Sequence, residues 1–87
     1  MSNKSSFDKY IEEYRHTPGS VLLDVRTPAE YDEGHVPESV NIPLDELAYN
    51  LDADPQTRVF VYCRSGSRSA SACLILQNED FDAINIG

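Results

Sequence analysis

The chain has 87 residues, a formal net charge of −8 and a hydrophobic fraction of 40%, which is typical of one small soluble domain spanning residues 1–87. The negative charge argues against nucleic acid and anionic membranes as partners, since both carry the same sign. No apolar run approaches a membrane span, and residues 1–6 lack the apolar core of a signal peptide, so we expect a cytoplasmic protein.

The first predicted element is an amphipathic helix over residues 7–15, with Ser6 as its cap. Pro18 and Gly19 end it, because neither residue continues a helix easily. Its apolar side chains recur at the i, i+3, i+4 and i+7 positions of one face and are Phe7, Tyr10, Ile11 and Tyr14. We expect this helix to pack on the core and to take no part in chemistry.

An apolar run at residues 21–25 predicts the first buried strand. Asp24 and Arg26 lie at its carboxyl end, and sites of open α/β sheets gather at such ends. These two charged side chains are therefore expected near any functional site.

A short helix follows, with Thr27 or its neighbour as the cap, Pro28 in the first turn and Gly34 at the end. Arg26 and Glu30 are four residues apart, a spacing that brings side chains together on one helical turn. We expect these two residues to form an ion pair.

The rest of the chain predicts three more strands separated by helices. Residues 40–42 form a short strand, and the leucines at 44, 47 and 51 indicate a short helix. After a polar turn, the continuous apolar run at residues 59–62 predicts a strand buried on both faces, and the alternation at residues 81–86 predicts a last short strand. This order predicts an α/β fold with an open, mostly parallel sheet and helices on both faces.

The loop after the strand at residues 59–62 carries the strongest signal for chemistry. It reads Cys-Arg-Ser-Gly-Ser-Arg over residues 63–68, and a helix is predicted to begin near its end and to run to about residue 78. Gly66 can adopt a positive φ without penalty, so the backbone can curl into a cup of N–H groups closed by the helix amino terminus. Such a cup stabilises negative charge. We therefore expect Cys63 to ionise readily and to act as a nucleophile.

Charge is distributed unevenly around this loop. No acidic residue occurs between residues 58 and 78, whereas nine occur between residues 24 and 54. A small anion should therefore be drawn to Arg64 and Arg68. We assign Arg64 to the substrate and Arg68 to bracing the loop, through a carboxylate such as Asp24.

The sequence Cys-Arg-Ser-Gly-Ser-Arg-Ser at residues 63–69 closely resembles the active-site loop of the rhodanese family. A second resemblance lies between residues 24 and 43, where Asp-Val-Arg, Glu-Tyr, Gly-His and Asn-Ile-Pro recur in the family's order. The likeness implies a rhodanese-like fold in which Cys63 carries a sulfane sulfur as a persulfide. It implies that the substrate-binding residues are Arg64, Ser65, Gly66, Ser67 and Arg68. It implies that Asp24, Arg26, Glu30, His35 and Asn41 are structural support.

His35 and Cys73 each leave an alternative. His35 could act as a base for Cys63, but we favour a structural imidazole because the cup already activates the thiolate. Many relatives have Gly where this chain has Glu38, a departure that affects a turn more than the chemistry. Cys73 is expected to be a buried small apolar residue, with a resolving thiol as the alternative. Neither cysteine belongs to a Cys-x-x-Cys or Cys/His cluster, so no metal or other cofactor is predicted.

The resemblance implies a sulfurtransferase that takes sulfur from a small anionic donor such as thiosulfate and gives it to cyanide or to a small-molecule or protein thiol. One alternative is a persulfide-carrying module of a sulfur relay with low turnover of its own. A phosphatase or arsenate reductase is less favoured, because the loop from Cys63 to Arg68 is one residue shorter than the phosphatase loop. Rhodanese domains usually continue into a closing C-terminal helix that this sequence lacks, so we expect a compact variant, a trimmed domain or an apolar strip covered by a partner.

Overall fold

The structure is a computed structural model that describes residues 5–47, 51 and 53–87. Helices and strands alternate along these residues. They are α1 (Ser6–Arg15), β1 (Val21–Asp24), α2 (Pro28–Glu33), β2 (Val40–Asn41), a 3₁₀ helix (Leu44–Glu46), β3 (Arg58–Tyr62), α3 (Ser67–Asn78) and β4 (Asp82–Asn85). No helix among these residues is both long enough and apolar enough to cross a membrane.

The four strands form one parallel sheet in the order β2-β1-β3-β4, which confirms the predicted open parallel sheet. The register between the two inner strands pairs Val21 with Val59 and Asp24 with Tyr62. Because parallel strands end at the same edge, the carboxyl ends of β1 and β3 lie side by side. The loop after β3 therefore begins next to Asp24.

Helices cover both faces of this sheet, as predicted. The α1 face is filled by Ile11, Leu22, Phe60, Tyr62 and Ile86. The α3 face is filled by Leu23, Val25, Ile42, Leu47, Val59, Val61, Cys63, Ala72, Cys73, Leu76 and Ala83. The predicted apolar stripe of α1 meets the first face through two edge-on ring contacts, Phe7 with Tyr62 at 5.5 Å and Tyr14 with Phe60 at 5.9 Å between centroids. The stripe therefore serves packing, as its spacing indicates.

Helix caps explain where the first two helices begin. Ser5 rather than the predicted Ser6 caps α1, because the Ser5 hydroxyl oxygen accepts a hydrogen bond from the Asp8 N–H at 3.1 Å. The prediction for α2 is confirmed: Thr27 caps it and Gly34 ends it. Thr27 and Glu30 form a reciprocal capping box, in which each side chain accepts from the other residue's N–H.

The helix predicted from Leu44 onward is a 3₁₀ turn over Leu44–Glu46 where the structure describes it. Pro43 precedes it without any side-chain cap, and the Glu46 N–H donates to the Pro43 carbonyl at 2.9 Å. Such i→i+3 bonds tighten a helix start whose N–H groups lack other acceptors. Residues 48–50 lie outside the described residues, so the remainder of this helix stays a prediction.

An apolar strip beside β4 does not form among the described residues. Among the described residues, the large apolar side chains that are exposed are Val40, at 48%, and Leu74, at 66%. Val40 lies on the opposite edge strand from β4, and Leu74 lies on α3. Single exposed apolar side chains of this kind are normal at a protein surface.

Glu38→Gly is expected to stabilise the protein by about 1 kcal/mol, which is about 4–8 °C in Tm for a domain of this size. Glu38 adopts φ +78°, a left-handed conformation that costs a side-chain-bearing residue energy and suits glycine. Thermal unfolding followed by circular dichroism measures the change.

Arg15→Ala is the matched control, because the substitution at position 38 also removes an exposed Glu38–Arg15 ion pair of 3.5 Å. Such pairs contribute little. A melting temperature for Glu38→Gly at or below that of the control would contradict a conformational cost at this turn.

Candidate active site

Cys63 follows β3 directly and is 6% exposed, with its sulfur turned toward the start of α3. The Gly66 N–H donates to Cys63 Sγ at 3.0 Å, and the Ser69 N–H donates at 3.3 Å. The first N–H groups of a helix have no acceptor within the helix, and the N-cap residue Gly66 has no side chain to supply one. The sulfur of Cys63 therefore takes the place that a capping oxygen usually occupies.

Gly66 makes this approach possible. It adopts φ +88°, which confirms the predicted positive φ, and α3 begins at Ser67 as the sequence predicts. The left-handed turn points the Gly66 N–H at the sulfur and leaves the Gly66 carbonyl free to accept from Ala70 N–H at 3.0 Å. The loop thus forms the predicted cup of N–H groups around position 63.

These hydrogen bonds change the acidity of the thiol. Burial alone raises the pKa of Cys63, but hydrogen bonds from the Ser69 hydroxyl and from the N–H groups of Ser69, Ser65 and Gly66 outweigh burial and lower the pKa below its ordinary value. Because the donors stabilise the anion, a larger fraction of Cys63 is thiolate near neutral pH than in a free cysteine. This is the direction that the loop sequence predicts.

Ser69 is a residue of this site that the sequence reasoning missed. It is fully buried, and its hydroxyl lies 3.4 Å from Cys63 Sγ. The only local signal was a small polar residue in the first turn of the helix after the loop, which reads equally well as an ordinary solvent-facing serine. Its burial depends on β4, which is distant in sequence.

Arg68 braces the loop as expected, but through a different carboxylate. Its guanidinium donates to both oxygens of Glu30, at 2.7 and 3.0 Å, and not to Asp24. The capping box of α2 fixes Glu30 in place, because Glu30 also accepts from Thr27 N–H at 3.0 Å. These contacts hold the pKa of Glu30 far below its usual range, the hydrogen bond from Arg68 being the largest cause.

The predicted Arg26–Glu30 ion pair is wrong, because Glu30 is already paired with Arg68. Arg26 pairs instead with Asp24, whose side chain is fully buried, through contacts of 2.7 and 3.0 Å. The hydrogen bond that Arg26 donates to Asp24 is the main cause that raises the pKa of Arg26 above its ordinary value. Asp24 thus neutralises Arg26 at the carboxyl end of β1, and Glu30 of α2 neutralises Arg68 of α3.

Arg64 is left as the unpaired cation of the loop. Its side chain is exposed, and it has no carboxylate or carbonyl partner within residues 5–47, 51 and 53–87. Ser65 and Ser67 lie beside it with their hydroxyl oxygens 3.2 Å apart. The lip of the cup therefore presents one positive charge and two hydroxyl groups to solvent.

A family model described as the rhodanese-like domain matches residues 6–86. The chain belongs to the rhodanese-like domain family. A sulfurtransferase from Allochromatium vinosum is 31% identical over 85 residues, which are 97% of this chain and 79% of that protein. A thiosulfate:glutathione sulfurtransferase from Saccharomyces cerevisiae is 35% identical over 72 residues, 67% of this chain and 52% of the yeast protein. Among solved structures, a rhodanese with anions from E. coli is 33% identical, has a TM-score of 0.74, and is matched over 78% of this chain and 85% of that chain.

Two further residues expected to support this rhodanese-like site contact backbone carbonyls. His35 is exposed, its Nδ1 lies 2.8 Å from the Tyr31 carbonyl, and its ring stacks on the Tyr31 ring at 3.5 Å between centroids. These contacts hold the imidazole on α2. Asn41 donates from Nδ2 to the carbonyls of Asp24 and Arg26, at 3.1 and 2.9 Å, and so fixes the backbone where β1 ends.

The second cysteine of this rhodanese-like domain is buried on α3, as predicted. Burial raises the pKa of Cys73 to about 11, so this thiol is almost entirely protonated at neutral pH. The part of the chain that the structure describes contains no group of three or more His, Cys, Asp or Glu residues that could hold a metal ion.

Proposed function

We propose that this rhodanese-like sulfurtransferase moves a sulfane sulfur from an anionic donor such as thiosulfate to a thiophilic acceptor through a persulfide on Cys63. The observation that carries the proposal is the set of donors around Cys63 Sγ, namely Gly66 N–H at 3.0 Å and Ser69 N–H at 3.3 Å. They lower the pKa of Cys63 and so raise the fraction of thiolate, the form that attacks the sulfur donor. Both cysteines are free thiols, which suits a reducing compartment such as the cytoplasm.

The reaction has two half-reactions. The Cys63 thiolate attacks the outer sulfur of thiosulfate, a new S–S bond forms, and the original S–S bond breaks with its electron pair leaving on sulfite. An acceptor such as cyanide or a thiolate then attacks the outer sulfur, and the electron pair of the persulfide bond returns to Cys63. No oxidant or reductant is needed beyond donor and acceptor. The loop N–H groups and the amino terminus of α3 stabilise the anionic outer sulfur between the two steps.

Steady-state kinetics with thiosulfate and cyanide test the proposal. Covalent half-reactions with one site predict ping-pong behaviour, seen as parallel lines in double-reciprocal plots. Intersecting lines would contradict a free persulfide intermediate.

Two other outcomes would favour the alternative functions. Hydrolysis of an aryl phosphate without sulfur transfer would favour a phosphatase. Complete loading of Cys63 with very slow turnover would favour a relay module that needs a protein acceptor.

Arg64→Ala is expected to raise the KM for thiosulfate about three- to tenfold with a smaller effect on kcat. Arg68 and Arg26 are neutralised by Glu30 and Asp24, so Arg64 is the charge left to attract a dianion. The KM of the wild type should also rise with ionic strength, and this dependence should weaken in the variant. Initial rates at low and high salt measure both effects.

Arg15→Ala is the matched control, because it removes the same charge from the last turn of α1. The control should keep the wild-type KM and its salt dependence. An equal rise of KM in both variants would assign the effect to net charge and remove Arg64 from the donor site.

A further inference from the structure

The hydroxyl of Ser69 has more acceptors than it can serve. Asn85 Oδ1 lies 2.6 Å from it, the Gly66 carbonyl 3.1 Å and Cys63 Sγ 3.4 Å. A serine hydroxyl has one proton to donate, and Ser69 is fully buried, so the three acceptors compete for that proton. The contact to Asn85 is the shortest. While the sulfur is neutral, the proton therefore points at Asn85, and the hydroxyl presents a lone pair to Cys63.

Asn85 is oriented by two other hydrogen bonds. Its Oδ1 accepts from Gly87 N–H at 3.1 Å, and its Nδ2 donates to the Gly66 carbonyl at 3.0 Å. A reversed amide would lose both bonds, so the oxygen faces Ser69. The residue lies on β4 opposite Val61 of β3, which brings it beside the start of the active loop.

We propose that Asn85 is a positioning residue that accepts the hydrogen bond of the Ser69 hydroxyl while Cys63 is neutral. When the sulfur is anionic, the hydroxyl turns and donates this hydrogen bond to Sγ. The inference rests on the proposed sulfur transfer, since it describes how the reacting sulfur is held. Asn85 acts only through Ser69 and does not touch Cys63.

The release follows from the charges of the two states. A lone pair facing a thiolate is repulsive, whereas a hydroxyl turned toward it makes a charge-assisted hydrogen bond, which is about twice as strong as a neutral one. The turn costs Asn85 one neutral hydrogen bond, but its oxygen keeps the Gly87 N–H and its side chain is exposed to water, so the oxygen is not left without a donor. In the persulfide the charge moves to the outer sulfur, and the hydroxyl returns to Asn85.

Competition by Asn85 therefore limits how far Ser69 stabilises the thiolate. This restraint preserves the nucleophilicity of the thiolate, because that nucleophilicity falls as the pKa falls. The charged groups around Cys63 are Arg68, which interacts with it electrostatically, Glu30, which pairs with Arg68, and Arg64 at the lip of the loop. Substitution of Asn85 or Ser69 by alanine alters none of these charges.

The test compares Asn85→Ala, Ser69→Ala and the double variant by the rate of iodoacetamide alkylation of Cys63 from about pH 5 to pH 10, with peptide mapping to separate Cys63 from Cys73. Asn85→Ala frees the hydroxyl for the sulfur and should move the midpoint of the rate profile down by about 0.5–1 pH unit. Ser69→Ala should move it up. The double variant should match Ser69→Ala, because Asn85 acts through the hydroxyl.

Asn78→Ala is the matched control at the end of α3, and its midpoint should equal that of the wild type. An unchanged or raised midpoint for Asn85→Ala would overturn the inference and leave Asn85 as a brace of the Gly66 carbonyl. A shift that persists in the Ser69→Ala background would overturn it as well. Alkylation uses no sulfur donor, so this outcome is separate from failure of the sulfur-transfer proposal, which the thiosulfate kinetics would reveal.

Discussion

Cys63→Ser is expected to abolish sulfur loading, with a loss of sulfur-transfer rate of about three orders of magnitude or more. A serine oxygen is not ionised at neutral pH and is a far poorer nucleophile toward sulfur than a thiolate. Intact-mass analysis should show the wild type gaining one sulfur atom after thiosulfate and losing it after cyanide. The Cys63→Ser protein should keep its mass through both treatments.

Cys73→Ala is the matched control for the other thiol. Cys73 is buried and its pKa is raised to about 11, so its removal should leave loading and unloading intact. Loading of the Cys63→Ser protein, or loss of loading in Cys73→Ala with the fold retained, would place the reactive sulfur at position 73 and contradict the proposed function. Circular dichroism of both variants distinguishes chemistry from unfolding.

Short-range patterns in the sequence were sufficient to predict the sheet and the loop. A strand buried on both faces, a glycine suited to positive φ and a helix start follow one another within residues 59–67, so their geometry is dictated by neighbours in sequence. The same holds for α2, whose cap and end residues, Thr27 and Gly34, lie within eight positions. The cup around Cys63 is therefore readable before the structure is known.

The ion pairs could not be predicted from short-range patterns in the sequence. Spacing along a helix favours a pair between Arg26 and Glu30, but Arg26 lies before the cap of α2 and reaches back to the buried Asp24. Glu30 is held by the capping box and is left facing Arg68, which is 38 positions away in sequence. Which cation meets which carboxylate was decided by where the fold places Glu30 of α2 relative to Arg68 of α3, and no local pattern contains that information.

Ser69 and Asn85 show the same limit at the site itself. Their side chains meet only because β4 adds to the edge of β3, which brings Asn85 beside Ser69 across a separation of sixteen positions. The contact depends on the parallel pairing of β3 with β4, which are connected through α3, and the residue types alone do not specify it. Gly66, which contacts the sulfur through its N–H, was predictable from the loop sequence, whereas Ser69 and Asn85 required the structure.

Asp24→Ala is expected to cause the largest loss of stability, about 3–5 kcal/mol. The Asp24 side chain is fully buried and accepts from the Arg26 N–H at 2.9 Å as well as from its guanidinium. The Arg26 side chain is 14% exposed, so the substitution leaves a largely buried cation without a counter-charge. A domain of this length has a total free energy of unfolding of about 4–13 kcal/mol, so the substitution should remove a large fraction of it and lower the urea midpoint. Urea unfolding followed by circular dichroism measures the loss.

Glu13→Ala is the matched control, because Glu13 makes an exposed ion pair of 3.1 Å with Arg58. Its removal should change the free energy of unfolding by no more than about 0.5 kcal/mol. The double variant Asp24→Ala/Arg26→Met separates lost attraction from an uncompensated charge: since removing both ions also removes the desolvation penalty, it should recover part of the loss. A double variant as unstable as Asp24→Ala would mean that the hydrogen bond that Asp24 accepts from the backbone, and not the buried charge, holds this end of β1 against the loop that carries Cys63.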